Sequence, residues 1–370
     1  MTITPFSISI SDAQIADLKE RLAMARWPDM PSTAYERGQS LDLIKSLASQ
    51  WENDFDWRAV EADLNRFPQF VAEIDGQTIH FLHIKSTRND ALPLLLVHGW
   101  PSTPFEYTDL IGPLTEPESG QAFDLVIPSI PGFGFSGPVT EPGWDSARIA
   151  KAFDSLMRKL GYDRYGYQGG DVGAAIGREL GILAPDGVVG IHLQQIFAFP
   201  TGAEGELEKL TPFEMGGFAI LENFGKYASY NDAQQKRPLT LGYGLADSPI
   251  GLLSWNAELY FGFEGERAAR VDRHRYITSV AIFWFTNTGA SATNIYFEDA
   301  QTGAGYREEF NSVPTGVAVF PEDFRSVRSF AERANNIVHW TEMECGGHFA
   351  ALDAPQLLAD DIRTFFSTLA

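Results

Sequence analysis

The stretch Tyr165-Gly166-Tyr167-Gln168-Gly169-Gly170-Asp171-Val172-Gly173 decides the fold. A short strand, Tyr165–Tyr167, runs into a glycine pair, a single acid follows, and a helical pattern continues from Val172 to Leu183. The spacing predicts a strand, a turn too sharp for bulky side chains, and a helix. The alternation continues in both directions. Upstream are an apolar strand over Leu94–Val97, a helix-like segment from Pro104 to Leu114 and a strand over Leu125–Ile127. Next comes a helix capped by Asp145, with Ile149, Phe153, Leu156 and Leu160 inward and Gly161 at its C′ position. Downstream is a strand over Val188–Leu193. Short apolar strands alternating with helices imply a parallel sheet buried on both faces.

The alternation stops between about Pro200 and Ala300, a stretch rich in Gly, Phe, Tyr and Trp that reads as helix and loop. It resumes with strands over Gly316–Phe320 and Ile337–Thr341 and a last helix over Ala354–Phe366. The first ninety residues read as helices followed by a hairpin. Ser11 and Gln14 form a capping box before the stripe Ile15, Leu18, Leu22; Ile44, Leu47 and Trp51 mark a second stripe; Asp56 caps a third with Val60, Leu64 and Phe67. Asp75-Gly76 turns one strand, Phe70–Ile74, into the next, Ile79–Ile84. The expected organisation is an N-terminal extension over 1–90, a core over 91–199 and 311–370, and a mainly helical cap over 200–310.

The 370 residues carry 28 Lys+Arg against 49 Asp+Glu, a net charge of −21, which argues against a nucleic-acid partner because phosphate binding needs clustered basic side chains. With 44% hydrophobic residues the chain is globular rather than disordered. The single Cys excludes an intrachain disulfide and fits a reducing compartment. The start, Met1-Thr2-Ile3-Thr4-Pro5, lacks a basic n-region, and no apolar run spans a membrane. A soluble cytoplasmic protein is the expectation.

Three signals fall at strand ends, where parallel sheets place their ligands: His98-Gly99-Trp100-Pro101, Gly169-Gly170-Asp171-Val172-Gly173, and Gly346-Gly347-His348-Phe349. The second has the form of the nucleophile elbow of α/β-hydrolases, with Asp171 where a serine commonly stands. A carboxylate there is favoured as an anion by the helix dipole and can attack an electrophilic carbon. The same Asp also reads as an ordinary N-cap. Order favours chemistry: this fold places nucleophile, acid and histidine in sequence. His348 follows the last strand, and Glu322 and Asp323 follow the strand before it. The backbone N–H groups of Trp100 and Val172 are placed to form an oxyanion hole.

Other patterns fail on context. Gly132-Phe133-Gly134-Phe135-Ser136-Gly137 is followed by Pro138 and Pro142, so no helix N-terminus stands ready for a dinucleotide. His80 and His83 are three apart on a strand and face opposite ways. Cys345 has no partner and reads as a buried, inert thiol.

With these motifs in place, the chain resembles the α/β-hydrolase epoxide hydrolases of the microsomal and juvenile-hormone type over nearly its whole length. Pro5-Phe6-Ser7-Ile8 through Arg26-Trp27-Pro28 resembles the start of that family's N-terminal domain. His98-Gly99-Trp100-Pro101 matches its oxyanion motif, whose proline is usually cis; Gly170-Asp171-Val172-Gly173 its nucleophile turn; and Gly346-Gly347-His348-Phe349-Ala350-Ala351 its histidine turn. Asp247-Ser248-Pro249-Ile250-Gly251-Leu252 resembles a cap signature. The resemblance, not spacing, puts Tyr230 and Tyr296 in the places of the family's ring-opening tyrosines. It makes Asp323 the acid, with Glu322 one residue away as runner-up.

The implied activity is conversion of an epoxide and water to a vicinal diol through an ester on Asp171. Tyr230 and Tyr296 would donate the proton, and His348 with Asp323 would activate water. No metal or organic cofactor is implied. The implied partner is a small-molecule epoxide, with neither nucleic acid nor a membrane anchor, and a homo-oligomer is left open. Aromatics from core and cap, Trp100, Phe135 and Phe199, are expected to line the pocket. Two alternatives stay open at this point: a haloalkane dehalogenase using the same Asp, and a non-catalytic ligand-binding homologue.

Overall fold

Nine strands form one sheet in a computed structural model that describes residues 3–30 and 35–369. They are β1 (Thr4–Phe6), β2 (Gln69–Ile74), β3 (Gln77–Ile84), β4 (Leu92–Val97), β5 (Phe123–Pro128), β6 (Tyr165–Gly169), β7 (Val188–Leu193), β8 (Asn311–Val319) and β9 (Asn335–Glu342). The order is β1-β2-β3-β5-β4-β6-β7-β8-β9. Pairing is antiparallel from β1 to β5 and parallel from β5 to β9.

Burial explains the apolar strands. Leu94, Leu95, Leu96 and Val97 are fully buried because helices cover both faces. On one face the Phe366 ring of helix Pro355–Ser367 packs so closely that a Cβ on Gly166 would lie 2.5 Å from it. On the other, Gly177 of helix Val172–Leu183 lets Tyr167 approach. The chain leaves β4 toward β5 on one side and leaves β6 toward β7 on the other. These diverging connections open a crevice beyond the carboxyl ends of β4 and β6, the favoured ligand position of such sheets.

The N-terminal strands continue this sheet, β3 pairing with β5. Asp75 and Gly76 both take positive φ (53° and 76°), the two-residue turn that suits a twisted hairpin. The capping box at Ser11 forms, and Asp56 caps helix Trp57–Leu64. This N-terminal segment fastens onto the cap. The Trp57 ring lies 4.7 Å from Phe285, Gln39 Nε2 donates to Gly262 O at 2.8 Å, and Arg273 reaches Ser46 Oγ at 2.9 Å.

The cap lies between β7 and β8 and contributes helices Pro212–Tyr227, Ser229–Lys236, Pro238–Asp247, Pro249–Phe261, Arg273–Phe285 and Asn294–Thr302. Helix Arg273–Phe285 buries Tyr276, Ile277, Val280 and Phe283 because the core lies on one side and the N-terminal helices on the other. Each such side chain is worth about 1.5–3 kcal/mol. β8 begins five residues before the expected Gly316. Pro314 and a register shift between Asn311 and Thr315 hide its start from a simple strand pattern. Among the described residues no helix is long and apolar enough to cross a membrane.

Candidate active site

Asp171 stands at the turn between β6 and helix Val172–Leu183, at φ 52° and ψ −123°. A non-glycine residue holds such a conformation only where its surroundings impose it. Two close approaches impose it here. A Cβ on Gly173 would lie 2.1 Å from Val97 O, and one on Gly99 would lie 2.4 Å from the Asp171 Cβ. The turn is thus pressed against the loop that leaves β4.

That loop presents its amides. Trp100 N–H donates to Asp171 Oδ1 at 2.8 Å, and the Val172 N–H also supports the carboxylate. The Trp100–Pro101 peptide is cis. His98 joins the loop to its neighbour, its Nε2 accepting from Ile130 N at 3.2 Å. Burial pushes His98 down to about 4, so it is a neutral strut.

His348, on the loop after β9, approaches from the other side. Its Nε2 is 3.6 Å from Asp171 Oδ2, and its Nδ1 is 3.0 Å from Asp323 Oδ1. Burial alone would lower the imidazole, but the charges of Asp323 and Asp171 outweigh it and raise it to about 9. Burial pushes Asp171 up, against the pull of His348 and the two amides. Asp323 is opposed by burial too, yet His348 holds it below the usual carboxylate range.

The adjacent acids separate cleanly. After Phe320-Pro321 the Asp323 N–H turns back to Phe320 O at 3.3 Å, which directs Asp323 inward. Glu322 faces outward and makes a two-pronged ion pair with Arg270. Asp323 is therefore the carboxylate on His348.

Asp171, Asp323 and His348 open onto a cavity of about 610 Å³ beneath the cap. Tyr230 of helix Ser229–Lys236 and Tyr296 of helix Asn294–Thr302 also line it. Their rings stand 6.2 Å apart at 85°. Burial, then the charge of Asp171, raises both phenols well above the ordinary tyrosine value.

The three aromatics expected in the pocket divide. Phe199 lines the cavity edge beside Phe324. Trp100 is not among the residues that line the cavity; it lies behind the phenols, stacked on Tyr230 at 4.9 Å and edge-on to Tyr296 at 5.8 Å. The expectation for Phe135 fails. It packs against Phe6 at 5.2 Å and His80 at 5.3 Å, away from the cavity. The tight turn Gly134–Ser136, tied by Gly134 N–H to Thr288 and by Ser136 Oγ to His80 N–H, rotates it toward the N-terminal strand. Cys345 is also corrected: it is exposed, because the loop before Gly346 runs over the surface.

Gln195 escaped sequence reasoning. Its Oε1 accepts Asp171 N–H at 2.7 Å and its Nε2 donates to Asp323 Oδ2, so it joins Asp171 to Asp323. The signal was its place two residues beyond the end of β7. Among the described residues no group of three or more His, Cys, Asp or Glu side chains could hold a metal ion.

Known proteins resemble this chain in sequence and fold. Residues 3–107 match the family described as "Epoxide hydrolase N terminus", and residues 93–230 match "alpha/beta hydrolase fold". An epoxide hydrolase homologue of Stigmatella aurantiaca is 39% identical, covering 99% of this chain and 85% of that one. Juvenile hormone epoxide hydrolase 1 of Ctenocephalides felis is 31% identical, covering 98% and 85%. The solved structure of Aspergillus niger epoxide hydrolase superposes with a TM-score of 0.88 at 32% identity, covering 100% of this chain and 97% of that one. In fold and over nearly its whole sequence, this chain belongs to the α/β-hydrolase epoxide hydrolases.

Proposed function

We propose that the chain hydrolyses epoxides to vicinal diols through an ester on Asp171. One observation carries this reading: a carboxylate held by two peptide amides shares an apolar cavity with two neutral phenols. An epoxide needs a nucleophile on carbon and a proton on oxygen. Asp171 Oδ1 is occupied by the Trp100 amide, so Oδ2 attacks the ring carbon. The C–O bond breaks, and the alkoxide takes its proton from a phenol. A raised phenol stays protonated until that charge develops.

The ester then changes the base. Asp171 becomes neutral, His348 loses one of the charges that raise it, and its imidazolium proton passes to the phenolate and restores the phenol. Oriented by Asp323, it can now deprotonate water. Attack on the ester carbonyl places the oxyanion on Oδ1, against the N–H groups of Trp100 and Val172. Collapse expels the alkoxide, which takes the proton of the newly formed Asp171 carboxylic acid, so the diol leaves with Asp171 ionised and His348 charged as at the start. Protons balance over the cycle.

The cavity suits an apolar epoxide body. Phe197, Phe199, Phe324 and Tyr306 form an aromatic cluster at its edge, and about 610 Å³ lies within the usual range for small-molecule sites.

A single turnover with styrene oxide in ¹⁸O-water tests the reading. Diol formation with label in the Asp171 carboxylate is the expected result. Diol without label in Asp171 would mean direct attack by water and would overturn the ester route. Chloride release from chloroalkanes with no diol from epoxides would favour dehalogenase chemistry instead.

A further inference from the structure

Asp299 lies one turn beyond Tyr296 on the cap helix Asn294–Thr302, and its carboxylate reaches across to the core. Oδ1 accepts the Ser146 N–H at 2.7 Å, and Oδ2 accepts the Ser146 hydroxyl at 2.6 Å. Ser146 is the first residue of helix Ser146–Lys159, whose own N-cap, Asp145, takes the Arg148 N–H at 2.8 Å. The first turn of a core helix is therefore completed by an acid from the cap.

The cap's exit is fastened by a second carboxylate. Glu179, on the helix that follows Asp171, accepts the Gly305 N–H at 2.7 Å. The backbone there is so close that a Cβ on Gly305 would lie 2.7 Å from the Ala175 Cβ. The two phenols are thus held differently. Tyr230 sits among the rings of Trp100, Phe224 and Phe263. Tyr296 rides on a helix tied to the core by two charge-assisted hydrogen bonds.

We propose that Asp299, through Ser146, is a positioning residue for Tyr296: it fixes this cap helix against the core so that the phenol stands ready to protonate the opening epoxide. The proposal rests on the two-step reading above and separates its steps. Ring opening uses groups from both core and cap, whereas ester hydrolysis uses His348, Asp323 and the two amides of the core. Loosening the tie therefore slows only the first step. Burial, then Asp145 and Glu179, push Asp299 up to about 7, against the pull of both Ser146 donors. An acid kept in the cavity wall at that cost fits a site role better than a surface one.

The test is rapid-quench kinetics of ester formation and ester decay in wild type, Asp299→Asn and Ser146→Ala, with melting temperatures alongside. Asp299→Asn should slow ester formation about tenfold or more, since small misplacements of a reacting group are costly. Ester decay should stay within about threefold, and Ser146→Ala, which keeps the backbone donor, should show a smaller loss of the same kind. In a Tyr296→Phe background, Asp299→Asn should cost less than about twofold more, because both act through one hydroxyl. Equal ester formation in wild type and both variants would overturn the positioning role. So would parallel loss of both steps with a lower melting temperature, or additivity with Tyr296→Phe. If wild type itself forms diol with no ester, the two-step reading fails rather than the tie.

Discussion

Gln195 Oε1 accepts the backbone N–H of Asp171 at 2.7 Å, while the other end of the same amide donates to Asp323. One side chain therefore holds the strained turn at Asp171 and bonds the second oxygen of Asp323. Gln195→Leu takes away the partner of the buried Asp171 N–H and one of the donors to the buried Asp323 carboxylate. Ester hydrolysis, which depends on Asp323 orienting His348, should slow about tenfold or more, and stability should fall by about 1–3 kcal/mol. Rapid-quench kinetics and urea unfolding check both, and an unaltered ester decay rate would separate Gln195 from the base.

His348→Gln removes the base but keeps the nucleophile and the phenols. The variant should open one equivalent of epoxide and stop, its mass raised by one substrate. Asp171→Ala should show no adduct and no diol. Intact-protein mass spectrometry distinguishes them, and steady turnover by His348→Gln would remove His348 from the mechanism.

In the free protein the charges of Asp323 and Asp171 overcome burial and hold His348 at about 9. Esterification removes the Asp171 charge, and a base with fewer anionic neighbours titrates lower. Ester decay should therefore rise with pH through a midpoint below that of the free enzyme. Decay rates compared with an NMR titration of His348 test the order, and a midpoint at or above the free value would contradict it.

Away from the site, Asp361 lies between two imidazoles. Its oxygens meet His192 Nε2 and His339 Nε2, each at 2.8 Å, and Thr341 Oγ1 at 2.6 Å. Burial opposes the charge, but these bonds outweigh it and hold the carboxyl far below the usual range. A depressed carboxylate contributes stability above its unfolded value, about 3.9, and loses it as pH falls through the folded one. Asp361→Ala should destabilise the last helix against β7 and β9 by about 3 kcal/mol while leaving substrate affinity unchanged. Urea unfolding at neutral pH measures the loss.

Much of this was legible from residue order. The helix Val172–Leu183 and the strand Val188–Leu193 were bounded to the residue, because their ends are set locally by a glycine turn and by Pro185-Asp186-Gly187. Phe135 was misread for the opposite reason. Its ring direction depends on a tight turn held by Thr288, 154 residues from Gly134. Cys345 adjoins a glycine turn that could have been buried or exposed, and only the path of the loop fixes which.

Residue order alone carries the α/β alternation, the helical insertion and the succession Asp171, Glu322-Asp323, His348, because periodicity, turn chemistry and chain order are local properties of the polymer. Which of two adjacent acids meets His348 emerges only in the folded chain, where Asp323 bonds its imidazole and Glu322 pairs with Arg270. The tertiary structure also brought Gln195 and the Asp299–Ser146 tie into the account. Those contacts join segments 24 and 153 residues apart, and no periodicity records a distance across a fold.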